Sequence, residues 1–400
     1  MKNDKSYKTK VAPAHSKTGK MKRYFFWCLL VIIPLLILEV LSFAYLKFMT
    51  NKGPYRDNIE QVANPYHPYL GYVHAPSTIY DTSKAKIGNV SRITTDENGH
   101  SITPAFSHPD PDITIVVTGG STIFGVGSTD NRTTVPSILE RLINQRLSLR
   151  AEVLNLAMRG FQSFQEMVLL DRFFAENRAD YVLAISGRND ANQAFADPTV
   201  EGAFLKKRIW NNAVSLVHRA ESGEFIAINI PSKLRSWSYT YDLLYRQIIP
   251  HKKIGSWAQA PKLNLRNEAV TDLKQRAKIT ATHFAAADQI SKMNGADFVL
   301  ILQPTPFNKT KWTSEENQNI TSIKQYKNDN RVRTYRQKEN EFYSALRGLE
   351  KPFQFIDLSN IFLDSGETLY IDNCHYNDTG AEQFAQEIFE SIRPLLLKKE

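Results

Sequence analysis

The stretch ITIVVTGGST, residues 113–122, decides how this chain folds. Its first half is a short β-branched run, the pattern of a strand buried in a parallel sheet. The pair Gly119-Gly120 then allows a tight turn and leaves the hydroxyl of Ser121 exposed at the strand's end. In open α/β sheets, ligands bind at the carboxyl ends of strands, so a serine placed there is a candidate nucleophile. Taken alone, the same serine reads better as a turn residue capping a helix. A phosphate-binding loop would look similar, but no G-K-[ST] follows.

Working outward, strand-like and helix-like segments alternate. Strands are expected at 152–156, 181–185, 298–302 and 353–356, and helices at 136–147, 165–174, 273–293 and 379 to about 392. This alternation predicts a three-layer α/β/α domain with a mainly parallel sheet over residues 111–400. Three stretches stand outside it. Residues 47–110, rich in turn formers and tyrosine, read as an irregular leader that wraps the domain. Residues 195–265 read as an insertion near the site, with Trp210, Trp237 and Trp257 expected in its core. Residues 305–335 read as polar, irregular and exposed.

The formal net charge of +9 suggests nucleic acid until it is located. Residues 1–23 hold Lys2, Lys5, Lys8, Lys10, Lys17, Lys20, Lys22 and Arg23 against Asp4, which leaves only +2 for the rest. No nucleic-acid motif accompanies the tail, and nucleic acid is not expected as a partner. A basic tail before the apolar run 24–46 is a membrane-topology signal. The run is long enough to cross a bilayer, which takes about 20 residues. It exceeds the roughly 7–15 residues of a signal-peptide core, although Ser42-Phe43-Ala44 is a passable cleavage site. The expectation is one uncleaved inner-membrane anchor with a cytoplasmic N-terminus and a periplasmic domain. Glu39 is the anomaly in the span, a carboxylate that must protonate, snorkel or meet a partner. Cys28 and Cys374 fall on opposite sides of this topology, so neither a disulfide nor a cysteine metal site is expected. No cofactor is implied, and protein partners are left open.

Three further turns carry chemistry. The strand at 152–156 leads to Arg159-Gly160, and the strand at 181–185 leads to Gly187-Arg188-Asn189-Asp190. Near the C-terminus stands Asp372-Asn373-Cys374-His375. A carboxylate three residues from an imidazole can fix its tautomer while the other ring nitrogen faces a serine. Arg159 and Arg188 read as solvated loop residues or as contacts for an anionic substrate. Asp190 reads as a helix cap or a support for its loop, and Cys374 as packing.

These stretches, in this order, resemble the conserved blocks of the SGNH/GDSL hydrolases. Gly119-Gly120-Ser121 is similar to the first block, with Gly120 where the name-giving motif has Asp. Gly160 matches the second, Gly187-x-Asn189-Asp190 the third, and Asp372-x-x-His375 the last. The resemblance covers about residues 113–397 and implies a flavodoxin-like fold. It implies a triad of Ser121, His375 and Asp372, with an oxyanion hole from the Ser121 and Gly160 N–H groups and the Asn189 amide. The expected activity is a serine esterase removing acyl, including acetyl, groups from an extracytoplasmic glycan. The alternatives are an O-acyltransferase using the same triad and a catalytically silent envelope assembly or binding module.

Overall fold

The structure, a computed structural model, describes residues 17–49, 66–67, 69–81, 92–103, 110–196, 234–235, 237–248, 273–323, 326 and 329–397. It begins with the long helix α1 (Lys17–Met49) and the short strands β1 (Tyr66–His67), β2 (Gly71–Tyr72), β3 (Ile79–Asp81) and β4 (Arg92–Thr94). Next come β5 (Ile113–Gly119), α2 (Ser121–Phe124), α3 (Val135–Arg146), β6 (Ala151–Asn155), α4 (Ser163–Glu176), β7 (Tyr181–Ser186) and α5 (Arg188–Ala196). The chain continues with α6 (Tyr239–Ile248), α7 (Leu273–Met293), β8 (Asp297–Leu302), α8 (Ser314–Ser322), α9 (Asp329–Gly348), β9 (Gln354–Asp357) and α10 (Asp378–Leu396). These residues fall into two packing units: α1 with residues 234–248, and the remainder.

The larger unit is built on a five-stranded parallel sheet of order β6-β5-β7-β8-β9. In sheet-strand count this is 2-1-3-4-5, the flavodoxin-like order. Side chains of β5 alternate between the two faces, as a pleated strand must. Ile115 and Val117 join a core with Leu139 of α3 and Ile388 of α10. Val116 joins the opposite core with Leu170 of α4 and Phe284 of α7. Burying each such side chain contributes about 1.5–3 kcal/mol relative to exposure. The expected three-layer α/β/α architecture is therefore the observed one.

Helix ends follow local chemistry. Thr134 caps α3 by accepting from the Ser137 N–H, and Pro136 sits in the first turn, where its missing N–H costs nothing. Asn377 caps α10 in the same way through the Gly380 N–H at 2.8 Å. Helix α10 buries Ala381, Phe384, Ala385, Ile388, Phe389 and Ile392 on one face. It runs through Pro394 to Leu396, further than the sequence pattern suggested.

Two sequence expectations need correction. The leader is not merely an external wrap. Its described parts form two antiparallel pairs, β1-β2 and β3-β4, and bury Leu70 and Tyr72 in one core and Tyr80 and Ile93 in the other. Region 305–335 is not exposed irregular chain. It carries a 3-10 turn at Pro306–Asn308, all of α8 and the start of α9, and it buries Phe307, Ile320 and Tyr326 together. A buried ion pair anchors it. Lys309 Nζ donates to both Glu316 oxygens at 3.0 and 2.8 Å and to the Glu367 carbonyl at 2.7 Å. Glu316 also accepts from the backbone N–H groups of Thr313, Leu369 and Tyr370. Most of the insertion 195–265, with Trp210 and Trp257, lies outside the described residues.

Helix α1 contains a stretch, Lys22–Met49, long and apolar enough to cross a membrane. Its side chains from Tyr24 to Leu38 are exposed.

Both partners of the Lys309–Glu316 pair are fully buried, so breaking it strands a charge. Glu316→Ala should cost about 3–5 kcal/mol in chemical denaturation of the full chain. A loss under about 1 kcal/mol, the range of surface pairs, would mean the pair does not anchor this region.

Candidate active site

Ser121 is the first residue of the four-residue helix α2. Gly120 before it is extended, and Gly125 ends the helix in the left-handed region at φ 114°. A first-turn N–H has no acceptor within its own helix, so the Ser121 N–H is a donor available for chemistry. There is little room for a side chain at Gly120. A β-carbon there would collide with the side-chain nitrogen of Asn189. The Asn189 amide thus lies directly against the turn.

The segment between β9 and α10 folds back on itself to carry the other two residues. Ile371 N–H donates to the His375 carbonyl at 2.9 Å, and Asn377 N–H donates to the Leu369 carbonyl at 2.9 Å. Asp372 Oδ1 accepts from the N–H groups of Cys374 and His375, each at 2.8 Å. Asp372 Oδ2 lies 2.6 Å from His375 Nδ1, and His375 Nε2 lies 2.7 Å from Ser121 Oγ. The structure thus brings Ser121, His375 and Asp372 into one hydrogen-bonded line. Burial disfavours the Asp372 carboxylate, but the adjacent His375 and the two backbone N–H groups overcome this and hold it below the usual carboxylate range. Burial likewise disfavours the imidazolium, and the facing Asp372 charge reverses that and raises His375 above an ordinary histidine.

Gly160 occupies the turn after β6 at φ 79°, where a side chain would be strained. This turn is tied to the serine turn through Met158 N–H, which donates to the Gly119 carbonyl at 3.1 Å. Asn189 Nδ2 donates to the Phe161 carbonyl at 2.7 Å. An amide has two N–H groups, so one remains for a ligand. All three residues expected to form an oxyanion hole therefore stand on adjoining turns.

Several residues that hold these turns escaped the sequence reading. Tyr72 donates its hydroxyl to the Arg159 carbonyl at 2.5 Å, and Arg159 N–H donates to His74 Nε2 at 3.2 Å. Burial, together with the nearby Arg159 charge, pushes the His74 pKa down to about 3 and keeps the ring a neutral acceptor. Glu166 accepts from Thr118 Oγ1 at 2.8 Å and Ser186 Oγ at 2.7 Å, clamping the ends of β5 and β7. Burial pushes its pKa up to about 8. Asp190 accepts from the Ser163 N–H and hydroxyl and from the Thr280 hydroxyl, joining the starts of α4 and α5 to α7. It supports its loop, as one of its two sequence readings held.

Neither sequence reading of Arg188 survives. It is neither solvated nor poised for substrate, being 4% exposed. Its guanidinium donates to Glu339 at 2.9 Å, to the Tyr335 hydroxyl at 2.5 Å and to the Asn373 carbonyl at 3.3 Å. It therefore backs the segment that carries His375. Arg159 is half-buried, with its guanidinium 5.8 Å from the centre of the Tyr80 ring. Cys374 is a free thiol with Sγ 3.6 Å from His375 Nδ1. Asp372, Cys374 and His375 offer three ligand atoms close enough for one metal ion. Both ring nitrogens of His375 are already engaged by Asp372 and Ser121, so a metal would have to break the line.

The sequence matches no family model and no curated protein. Among solved structures it is similar to an acetyl xylan esterase, AlAXEase, at 13% identity over 70% of this chain and 100% of that one, with TM-score 0.35. It is similar to TesA at 11% identity over 70% and 99%, with TM-score 0.36. It is also similar to a lipase/acylhydrolase from Enterococcus faecalis at 13% identity over 70% and 96%, with TM-score 0.34. Similarity this distant decides nothing about chemistry, which follows here from the side chains themselves.

The His375 environment has a measurable signature. Its NMR titration midpoint should lie above the reference value near 6.5, because the protonated form is held by Asp372. In Asp372→Asn the midpoint should fall, because burial is then opposed only by the neighbouring Cys374. An unchanged midpoint would mean Asp372 does not set the ring's proton affinity.

Proposed function

We propose that this chain is a serine esterase of the SGNH/GDSL type, with Ser121 as nucleophile, His375 as general base and acid, and Asp372 as the residue that orients His375. The observation that carries this is the unbroken line from Asp372 Oδ2 through His375 to Ser121 Oγ, at 2.6 and 2.7 Å. Both distances are within reach for proton transfer. His375 Nε2 takes the Ser121 proton as Oγ attacks the ester carbonyl. The charge that develops on the carbonyl oxygen is met by the N–H groups of Ser121 and Gly160 and by the free N–H of the Asn189 amide. His375 then gives its proton to the departing alcohol, and water releases the acyl group by the same steps in reverse order.

We further infer that α1 anchors the chain in the inner membrane as a single pass, with the basic tail cytoplasmic and the Ser121 site periplasmic. The lysines and arginine of residues 1–23 support that orientation. A site tethered there meets envelope polymers, so the substrate class we assign is an O-acyl, including O-acetyl, ester on an extracytoplasmic glycan. Transfer of the acyl group to a sugar hydroxyl instead of water needs no change in the triad.

Full-length protein in detergent should hydrolyse p-nitrophenyl acetate. Ser121→Ala should lower kcat by about 10⁶-fold, as removal of such a nucleophile does elsewhere. Equal turnover in wild type and variant would sink the esterase reading. Adding an oligosaccharide acceptor and weighing the products by mass spectrometry separates hydrolysis from transfer.

Asn189→Ala should lower kcat by about 10²–10³-fold, the usual cost of one oxyanion donor. The kcat/KM of wild type should rise with pH as His375 loses its proton, with a midpoint above about 6.5. A midpoint below that value would contradict the role given to Asp372.

A further inference from the structure

Glu39 lies in the apolar helix α1, yet it has three donors from a segment about two hundred positions away. Its carboxylate accepts from the Tyr239 N–H at 2.5 Å, the Thr240 N–H at 3.1 Å and the Ser238 hydroxyl at 2.9 Å. It thereby caps the N-terminus of α6, where a negative charge is favoured by the exposed N–H groups and the helix dipole. One helical turn further along α1, Ser42 accepts from the Thr240 hydroxyl at 3.2 Å, and Phe43 packs on Tyr239 with ring centres 4.9 Å apart.

Depth along α1 follows from helix geometry. Glu39 precedes Lys47 by eight residues, or about 12 Å at 1.5 Å per residue. In a bilayer with a hydrocarbon core of about 30 Å, the cap lies below the outer boundary. The surface of the capped segment suits that depth. Leu234 and Trp237 lie just before the break in the helix at Ser238, and Leu244 lies within α6. Leu234, Trp237 and Leu244 are 37%, 72% and 48% exposed. Trp237 is thus not the core residue expected from sequence. The charges point the other way. Asp242 is fully buried and 2.9 Å from Arg235 Nε, and the Arg235 guanidinium lies over the Tyr245 ring at 4.4 Å. Apolar side chains outward and paired charges inward is the reverse of a water-facing helix and fits lipid.

We propose that α6, with Leu234 and Trp237 just before it, forms a lipid-contacting segment, held in the outer leaflet by Glu39, with Trp237 and Leu244 against the acyl chains. This rests on the reading that α1 spans a membrane. The exposed apolar surface of α1 belongs to the same packing unit, so one lipid phase covers both. The segment therefore gives the chain a second membrane attachment, formed by tertiary structure rather than by a second span.

The test uses the full chain in phosphatidylcholine–phosphatidylglycerol vesicles, with Cys28→Ser and Cys374→Ala as background. A fluorophore is placed on single cysteines from Val31→Cys, Tyr69→Cys, Trp237→Cys and Leu244→Cys, and quenched by nitroxides on the lipid chains. Val31 is 60% exposed on α1, and Tyr69 is 63% exposed in the other unit. The expected result is comparable quenching at 31, 237 and 244, several-fold above that at 69. Quenching at 31 without quenching at 237 and 244 overturns the inference and leaves the anchor standing. No quenching at 31 overturns both. Protection of 237 from aqueous iodide without lipid quenching assigns the face to a protein partner or a second copy and also overturns it. Glu39→Ala should bring 237 to the level of 69 while 31 is unchanged and far-UV circular dichroism shows the fold intact. Quenching at 237 that survives this change would remove Glu39 as the tether.

Discussion

Asp372 is a carboxylate that is 5% exposed, and its oxygens are taken up by its own segment: two backbone N–H groups on Oδ1 and the His375 ring on Oδ2. A buried carboxylate with any of these removed would be costly, so the charge dictates the backbone path from 371 to 377. That path in turn aims His375 at Ser121. The polar architecture around it keeps this segment from moving. Arg188 reaches Asn373 from behind, and Glu316 accepts from the N–H groups of Leu369 and Tyr370 just upstream.

Buried carboxyl groups satisfied by hydrogen bonds recur across the carboxyl end of the sheet. Glu166 ties β5 to β7, Asp190 ties α5 to α4 and α7, and Glu339 ties α9 to the start of α5 through Arg188. Each tie ends within three residues of a group that the proposed chemistry uses: Thr118 before Ser121, Arg188 and Asp190 on either side of Asn189, and Asn373 before His375. The apolar cores fix where the strands lie, and these polar clamps fix where their ends point. Preorganised donors and a preoriented base need that second level of order, because a donor that must be dragged into place at the moment of reaction stabilises little.

The parallel sheet was legible because its strands are buried on both faces and so read as continuous apolar runs. The helix at 273–293 was placed to the residue. The site was legible because short polar residues directly after such runs can only lie at the sheet's carboxyl end. The supports were not legible, for a physical reason. Tyr72 and His74 sit among turn formers, and no periodicity marks them as core. Helix α9 is polar over most of its surface, and its buried face is carried by Glu339, Phe342, Tyr343 and Leu346, of which the most deeply engaged is charged. A rule that reads burial from hydrophobicity misses a helix whose key contact is an ion pair. Arg188 was misread for the same reason, since its partner lies 151 positions away.

Glu39 carries the point furthest. By composition it is a defect in a membrane helix, at a cost of about 2.5–3.5 kcal/mol on insertion scales. Insertion scales assume the carboxylate faces hydrocarbon alone. Here it meets two backbone N–H groups that the start of α6 would otherwise leave without partners, and a serine hydroxyl. Each side therefore removes a cost from the other: the helix end supplies the donors that the carboxylate lacks, and the carboxylate supplies the acceptor that the helix end lacks. In the proposed membrane placement the two would therefore enter the apolar phase together. A residue that weakens the case for a membrane span when read along the chain becomes, once its partner is known, a reason for a second segment to be there.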